Sequence, residues 1–343
     1  MFCYHELLIV IFGANMVSED KKSKPQLTIE VKGVTKQFGP NIAVNDVTFD
    51  IRKGEVVGFL GPNGSGKTTT MRLLTSFYTP DDGTILIDGI DNQERDLETR
   101  EKIGYLPENN PVYGDLLVKD QLDFVAELRG IRGADRRTNI DRAVEETGLQ
   151  EVYYRPVRQC SKGYKQRVGL AQAILHRPEI LIMDEPTEGL DPNQRVPIRE
   201  LIRSIGTDRT VLLSTHVLQE VEETCDRLLI ISRGRIVAQG TVDELRKMAR
   251  RDTVVSVEVV GDDAIENSLN KLKSVRSVQS VGRIGDRKRF LLSVYGKVDV
   301  RPEVFELAKK RDWTLWEIHE ETGRLQDLFY ELTRENSEEG QIF

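Results

Sequence analysis

The sequence predicts an α/β protein with a parallel core sheet, followed by a smaller α+β unit. Segments that are apolar from end to end, such as Val56-Val57-Gly58-Phe59-Leu60 and Leu181-Ile182-Met183, suit strands covered on both faces. Helical patterns separate these strands, which is the order of a parallel sheet. Near Met248-Ala249-Arg250 the composition shifts, and short strands and helices of a different order follow. The length of 343 residues fits two domains at about 150 residues each.

Residues 1–25 read as an N-terminal extension. Its apolar run, Leu7 to Phe12, is far shorter than the ~20 residues that span a bilayer. Only His5 and Glu6 stand directly before the run, where a secretion signal requires a basic segment. Two readings stand: a translation start that belongs at Met16, or a weak membrane-touching segment. Residues 26–248 form the large domain. Leu27, Ile29 and Val31 alternate, and Val44 to Ile51 follow a turn at Gly39-Pro40, so an antiparallel β subdomain is expected. Residues 118–131 and 135–148 read as helices of a helical subdomain, the first placing Val118, Leu122, Val125 and Leu128 on one face. Val211-Leu212-Leu213 and Leu228 to Ile231 supply further buried strands. Residues 250–334 read as strand 253–260, helix 263–273, strands 275–282 and 288–295, helix 302–311, strand 313–319 and helix 325–333. That is βαββαβ plus one helix, a ferredoxin-like arrangement. Residues 335–343 are an acidic tail.

Asp and Glu number 56 against 49 Lys and Arg, a net charge of −7. Such a balance argues against nucleic acid as a partner. Hydrophobic residues at 38% and charged residues at 31% mark a globular chain. Cys3, Cys160 and Cys225 are odd in number and far apart, which excludes a disulfide framework or a zinc site and fits a reducing compartment.

Residues Gly61-Pro62-Asn63-Gly64-Ser65-Gly66-Lys67-Thr68 match G-x-x-x-x-G-K-[ST], between a buried strand and a helix that Thr69 opens. Glycines let consecutive N–H groups converge on phosphate oxygens, and the helix N-terminus adds positive potential. Lys67 brings a full charge to the β- and γ-phosphates, and the Thr68 hydroxyl can ligate Mg²⁺. The strand Ile180 to Met183 ends in Asp184-Glu185, at the edge where open α/β sheets bind ligands. Asp184 is placed to hold Mg²⁺ and Glu185 to orient or deprotonate the attacking water.

These residues resemble an ATP-binding-cassette (ABC) ATPase over about residues 27–245. Phe38 stands where that family stacks an aromatic on adenine. Ser161-Lys162-Gly163-Tyr164-Lys165-Gln166-Arg167 stands at the family's signature sequence, Gly189-Leu190-Asp191-Pro192 at the loop that touches the opposite subunit, and His216 at the switch histidine that contacts γ-phosphate. Two positions depart from the pattern. The usual Leu-Ser-Gly-Gly-Gln is here Cys160-Ser161-Lys162-Gly163-Tyr164, which keeps Ser161 and Gly163; Lys162 either adds positive charge there or faces solvent. Glu108 replaces the glutamine after Tyr105-Leu106-Pro107; a carboxylate can hold Mg²⁺ more tightly than an amide, and it adds negative charge near the phosphates.

Both variants, with Leu325 to Thr333, resemble the ATPases of ABC-2-type exporters, and among them the gliding-motility ATP-binding subunit. The resemblance implies an ATPase with ATP and Mg²⁺, one phosphate loop and one signature per chain, and hence a head-to-tail dimer of two copies. Each site would use Lys67, Thr68, Asp184, Glu185 and His216 of one chain and Ser161, Gly163 and Asp191 of the other. It also implies a separate integral-membrane permease and a place on the cytoplasmic face of the cell membrane, with Glu108 to Leu117 and the next helix as the docking surface. The competing readings are a soluble ABC ATPase acting on ribosomes or DNA and a regulatory nucleotide-binding protein. Paired cassettes in one chain and long coiled coils, the marks of the first, are absent from this sequence. His176 reads as a capping or surface residue of a helix-ending turn and His319 as structural; Trp313 and Trp316, on opposite faces of one strand, read as core or interface; Arg283, Arg287, Lys288 and Arg289 read as a solvated hairpin turn, with a lipid-headgroup or partner contact as the alternative.

Overall fold

The computed structural model describes residues 26–248, 253–296, 298–321 and 325–338. The N-terminal extension and the end of the acidic tail lie outside the described residues. Strands β1 (Leu27–Phe38) and β2 (Asn41–Arg52) form the expected antiparallel pair. β3 (Val56–Leu60) leads through the glycine-rich loop into α1 (Lys67–Leu74), and β4 (Asp82–Ile87) and β5 (Ile90–Asp91) complete a sheet of order β2-β1-β4-β5. Then come α2 (Asp96–Lys102), β6 (Ile103–Leu106), and the helical layer α3 (Val118–Leu128), α4 (Gly133–Thr147) and α5 (Lys162–Ile174). The chain returns through β7 (Ile180–Asp184), α6 (Pro192–Gly206), β8 (Thr210–Thr215), α7 (Leu218–Thr224), β9 (Arg227–Ser232), β10 (Arg235–Thr241) and α8 (Val242–Met248).

The core sheet has the order β10-β9-β3-β8-β7-β6, parallel except for β10 at its edge. Its central strands β3, β7 and β8 are buried from end to end because both faces are covered. Val57, Phe59, Ile182 and Leu229 point into the core shared with α1 and the antiparallel sheet, while Val56, Leu60, Met183 and Ile230 point into the core beneath the helices. Period-two alternation thus assigns one strand to two cores at once.

β11 (Thr253–Val260), α9 (Ile265–Leu269), β12 (Val275–Ile284), β13 (Arg287–Val294), α10 (Arg301–Lys310) and β14 (Thr314–Glu321) build a sheet of order β12-β13-β11-β14, antiparallel at every pairing. This is the ferredoxin-like order, with its own core around Val257, Phe290 and Leu292. α9 is shorter than the helix read at 263–273 and ends after Leu269. α11 (Leu325–Glu338) packs on α8 and β9 of the large domain, although its sequence sits at the end of the small one. Leu325, Leu328, Phe329 and Leu332 make an i, i+3, i+4, i+7 stripe that joins the large core. The helix also runs into the stretch read as tail.

Candidate nucleotide site

The loop after β3 is shaped by backbone that only glycine adopts cheaply. Gly66 has φ 108°, and a Cβ there would strike the Ala43 carbonyl. This close approach lets α1 start at Lys67 with its N-terminus open to a cleft. Lys67 is 5% exposed; its Nζ donates to the carbonyls of Gly61 at 2.8 Å and Pro62 at 3.2 Å and pairs with Glu185 Oε1 at 3.2 Å.

Glu185 follows the buried β7 in left-handed backbone, φ 48°, a conformation uncommon outside glycine. Two bonds hold it there: its N–H donates to the Ser214 carbonyl at 3.2 Å and Ser214 Oγ at 3.0 Å. Its carboxylate therefore lies between Lys67 and His216, whose Nδ1 is 3.0 Å from Oε2. The other face of His216 meets Glu188, Nε2 to Oε2 at 3.7 Å. Asp184 is fully buried. Ser214 Oγ donates to its Oδ1 at 2.5 Å, while Oδ2 has no hydrogen-bond partner. A buried unpartnered carboxylate oxygen beside a phosphate loop fits a hard cation.

A cleft of about 600 Å³ joins these groups. Phe38, Asn63, Gly64, Gly66, Lys67, Thr68, Thr69, Glu108, Glu185 and His216 all line it, so residues far apart in sequence meet. Gly61, Pro62 and Ser65 complete the loop without lining the cleft, and the buried Asp184 does not line it either. Phe38 is backed edge-on by Tyr78 at 5.2 Å, and Arg72 donates to the Tyr78 hydroxyl at 3.1 Å. Tyr105, next to Arg72, has its phenol pushed up to about 12 by burial and by the charge of Asp184.

Sequence reasoning missed Asn41, Ile42, Ala43, Glu188, Arg233 and Gly234, which also line the cleft. Arg233 stands in the tight turn between β9 and β10, at φ 48°. The Arg233-Gly234 turn is visible in sequence, but only tertiary folding brings it to the phosphate loop: Gly234 N–H donates to the Ser65 carbonyl at 2.8 Å.

Ser161, Gly163 and Asp191 do not line the cleft; they gather in a second cluster. Ser161 caps α5, its Oγ accepting from Tyr164 N–H at 3.3 Å, and Asp191 caps α6, its Oδ1 accepting from Gln194 N–H at 2.9 Å. Gln194 faces Gly163, and the Lys162 ammonium lies directly against Gly189. Lys162 thus reaches across to the 189–191 loop. His176 is structural: Nε2 lies 3.1 Å from the Ile103 carbonyl, and burial lowers its pKa to about 4. Trp313 is buried in the small core, while Trp316 is exposed beneath Arg287.

An ABC transporter family model matches residues 44–188. YdbJ, an uncharacterized ABC transporter ATP-binding protein of Bacillus subtilis, is 32% identical across 91% of this chain and 97% of its own. YbhF of Escherichia coli, a probable multidrug ABC transporter ATP-binding protein, is 36% identical across 66% of this chain, which spans only 39% of YbhF. Among solved structures, the dimeric structure of MJ0796, a bacterial ABC transporter cassette, superimposes with a TM-score of 0.57 at 26% identity, over 62% of this chain and 98% of its own. The chain belongs to the family of ABC transporter ATP-binding proteins, and its large domain is an ABC ATPase domain.

Proposed function

We propose that this chain is the ATP-hydrolysing subunit of an ABC-2-type membrane exporter, acting as a dimer that drives a separate permease from the cytoplasmic face. The observation that carries the reading is the division of the site. The cleft gathers Lys67, Thr68, Glu185 and His216, whereas Ser161, Gly163 and Asp191 form a separate cluster. A nucleotide in the cleft needs the second cluster of another copy to be enclosed.

In this reading Phe38 stacks on adenine, the N–H groups of residues 63–69 cradle the phosphates, and Lys67 Nζ turns from its carbonyl and carboxylate partners to the γ-phosphate. Glu185 Oε then accepts the proton of the attacking water. His216 keeps Glu185 oriented and contacts the γ-phosphate. Mg²⁺ bound by Thr68 and Asp184, with Glu108 on the cleft wall, would neutralise charge on the β- and γ-phosphates. Closure of the dimer on ATP follows from ATP's preference for the enclosed state.

The permease surface runs from Glu108 into α3. Asn110 Nδ2 donates to the Lys165 carbonyl of α5 at 2.6 Å, which ties this segment to the helix that Ser161 caps. Tyr113, Phe124 and Leu128 stand exposed beyond it. Among the described residues no helix is long and apolar enough to cross a membrane, so the transport path falls to the partner. The multidrug reading of YbhF supports an export class, and the resemblance of Leu325 to Thr333 supports a subunit of the gliding-motility type. Co-purification from detergent-solubilised membranes tests this: recovery with an integral-membrane protein is expected, and recovery with ribosomes or DNA would contradict it.

A further inference from the structure

Glu220 is a charged side chain that the reading of the cleft leaves without a task. It sits on α7, 4% exposed. Burying a carboxylate is costly unless donors satisfy it, and three do. Its Oε2 accepts from Thr187 Oγ1 at 2.7 Å and Thr215 Oγ1 at 3.0 Å, and its Oε1 faces Arg195 Nη1 at 3.4 Å. Each donor belongs to a different working part. Thr187 lies in the loop between Glu185 and Asp191. Thr215 immediately precedes His216, and its hydroxyl also accepts from Val217 N–H at 3.0 Å. Arg195, on α6 behind Asp191, donates through Nε to the Leu190 carbonyl at 3.0 Å.

Resting on the reading of the cleft as an ATPase site, we propose that Glu220 is a positioning residue that couples the loop facing the second copy to the switch histidine. One carboxylate grips the 185–191 loop directly through Thr187 and indirectly through Arg195, which holds the Leu190 carbonyl, and grips the end of β8 through Thr215. A shift of residues 189–191 when Asp191 meets the other copy reaches Arg195 and Thr187. Through Glu220 it reaches Thr215 and so sets His216 and Glu185 together. In a dry, low-dielectric setting these bonds do not exchange readily with water, so the two loops move as one.

The test uses the full-length chain and two substitutions at Thr187, with Glu220→Gln as a third variant. Thr187→Val removes only the hydroxyl, and Thr187→Ser keeps it. ATP turnover and the affinity for a fluorescent ATP analogue are measured for each. The expected result is a kcat about tenfold lower for Glu220→Gln and at least about threefold lower for Thr187→Val, with affinity within about twofold of wild type and Thr187→Ser restoring wild-type kcat. An active wild type whose Glu220→Gln and Thr187→Val variants keep full kcat overturns the proposal alone. Equal losses of kcat, analogue affinity and melting temperature in these variants show a plain structural pin and also overturn it. A wild-type chain that hydrolyses no ATP overturns the ATPase reading and the proposal together.

Discussion

Glu185 concentrates the chemistry of the cleft in one side chain, held in left-handed backbone between a lysine and a histidine. Glu185→Gln preserves its shape and removes its charge. ATP binding is expected to persist while turnover falls by about 10²–10⁴-fold, the range of a lost general base. A wild-type rate in a phosphate-release assay would remove Glu185 from that role. Glu108→Gln is expected to raise the Mg²⁺ concentration for half-maximal turnover, since an amide holds Mg²⁺ less well than a carboxylate; an unchanged Mg²⁺ titration would take Glu108 out of the metal shell. Gly66→Ala meets both φ 108° and the Ala43 carbonyl, so loss of ATP-analogue binding is expected. Lys67, Thr68, Asp184 and Glu185 were legible in sequence because their spacing is local: one turn, or one strand end. Glu188, Arg233 and Tyr78 were not, because only the packing of separate loops brings them to the site. The lysine within the signature was legible as a charge but not as a contact, since its reach to Gly189 depends on how α5 meets the loop before α6.

Strand and helix order were readable because burial leaves period-two and helical stripes in the text. What the stripes do not state is which neighbour they meet. The apolar face of α11 is plain in sequence, yet it packs on α8 and β9 and not on the sheet that precedes it. Leu328, 6% exposed, adds to the large core from outside the ATPase domain. Leu328→Ala is expected to cost about 2–5 kcal/mol in the denaturation transition that loses ATP-analogue binding; an unmoved midpoint would show that the large domain does not depend on α11. His176, in the connection from α5 to β7, makes stability depend on pH. Burial lowers its pKa from 6.5 to about 4, so the unfolded chain binds the extra proton in that window. Its neutral, half-buried state contributes fully above about pH 6.5, and stability falls as pH drops from there toward 4, by up to about 1.4 kcal/mol per pH unit. His176→Gln is expected to flatten that limb in urea titrations at pH 7, 6 and 5; an unchanged slope would assign the acid limb to other groups.

At the scale of the whole molecule, the chain carries a net charge of −7, and among the described residues no helix is long and apolar enough to cross a membrane. The order of the motifs along the chain made the family legible, and the resemblance already implied a site shared between two copies; the structure adds where the two clusters lie. On the proposed function, that division calls for a second copy. It is tested most directly by mixing two inactive variants of the full chain, Lys67→Ala, which loses the phosphate loop's charge, and Ser161→Arg, which blocks the second cluster. Each alone is expected to hydrolyse no ATP. In a mixed dimer the intact loop of one copy faces the intact cluster of the other, so an equimolar mixture recovers about a quarter of wild-type turnover if sites act independently and copies pair at random. Activity in Ser161→Arg alone, or no recovery on mixing variants that exchange freely into dimers, would contradict a site completed by the second copy.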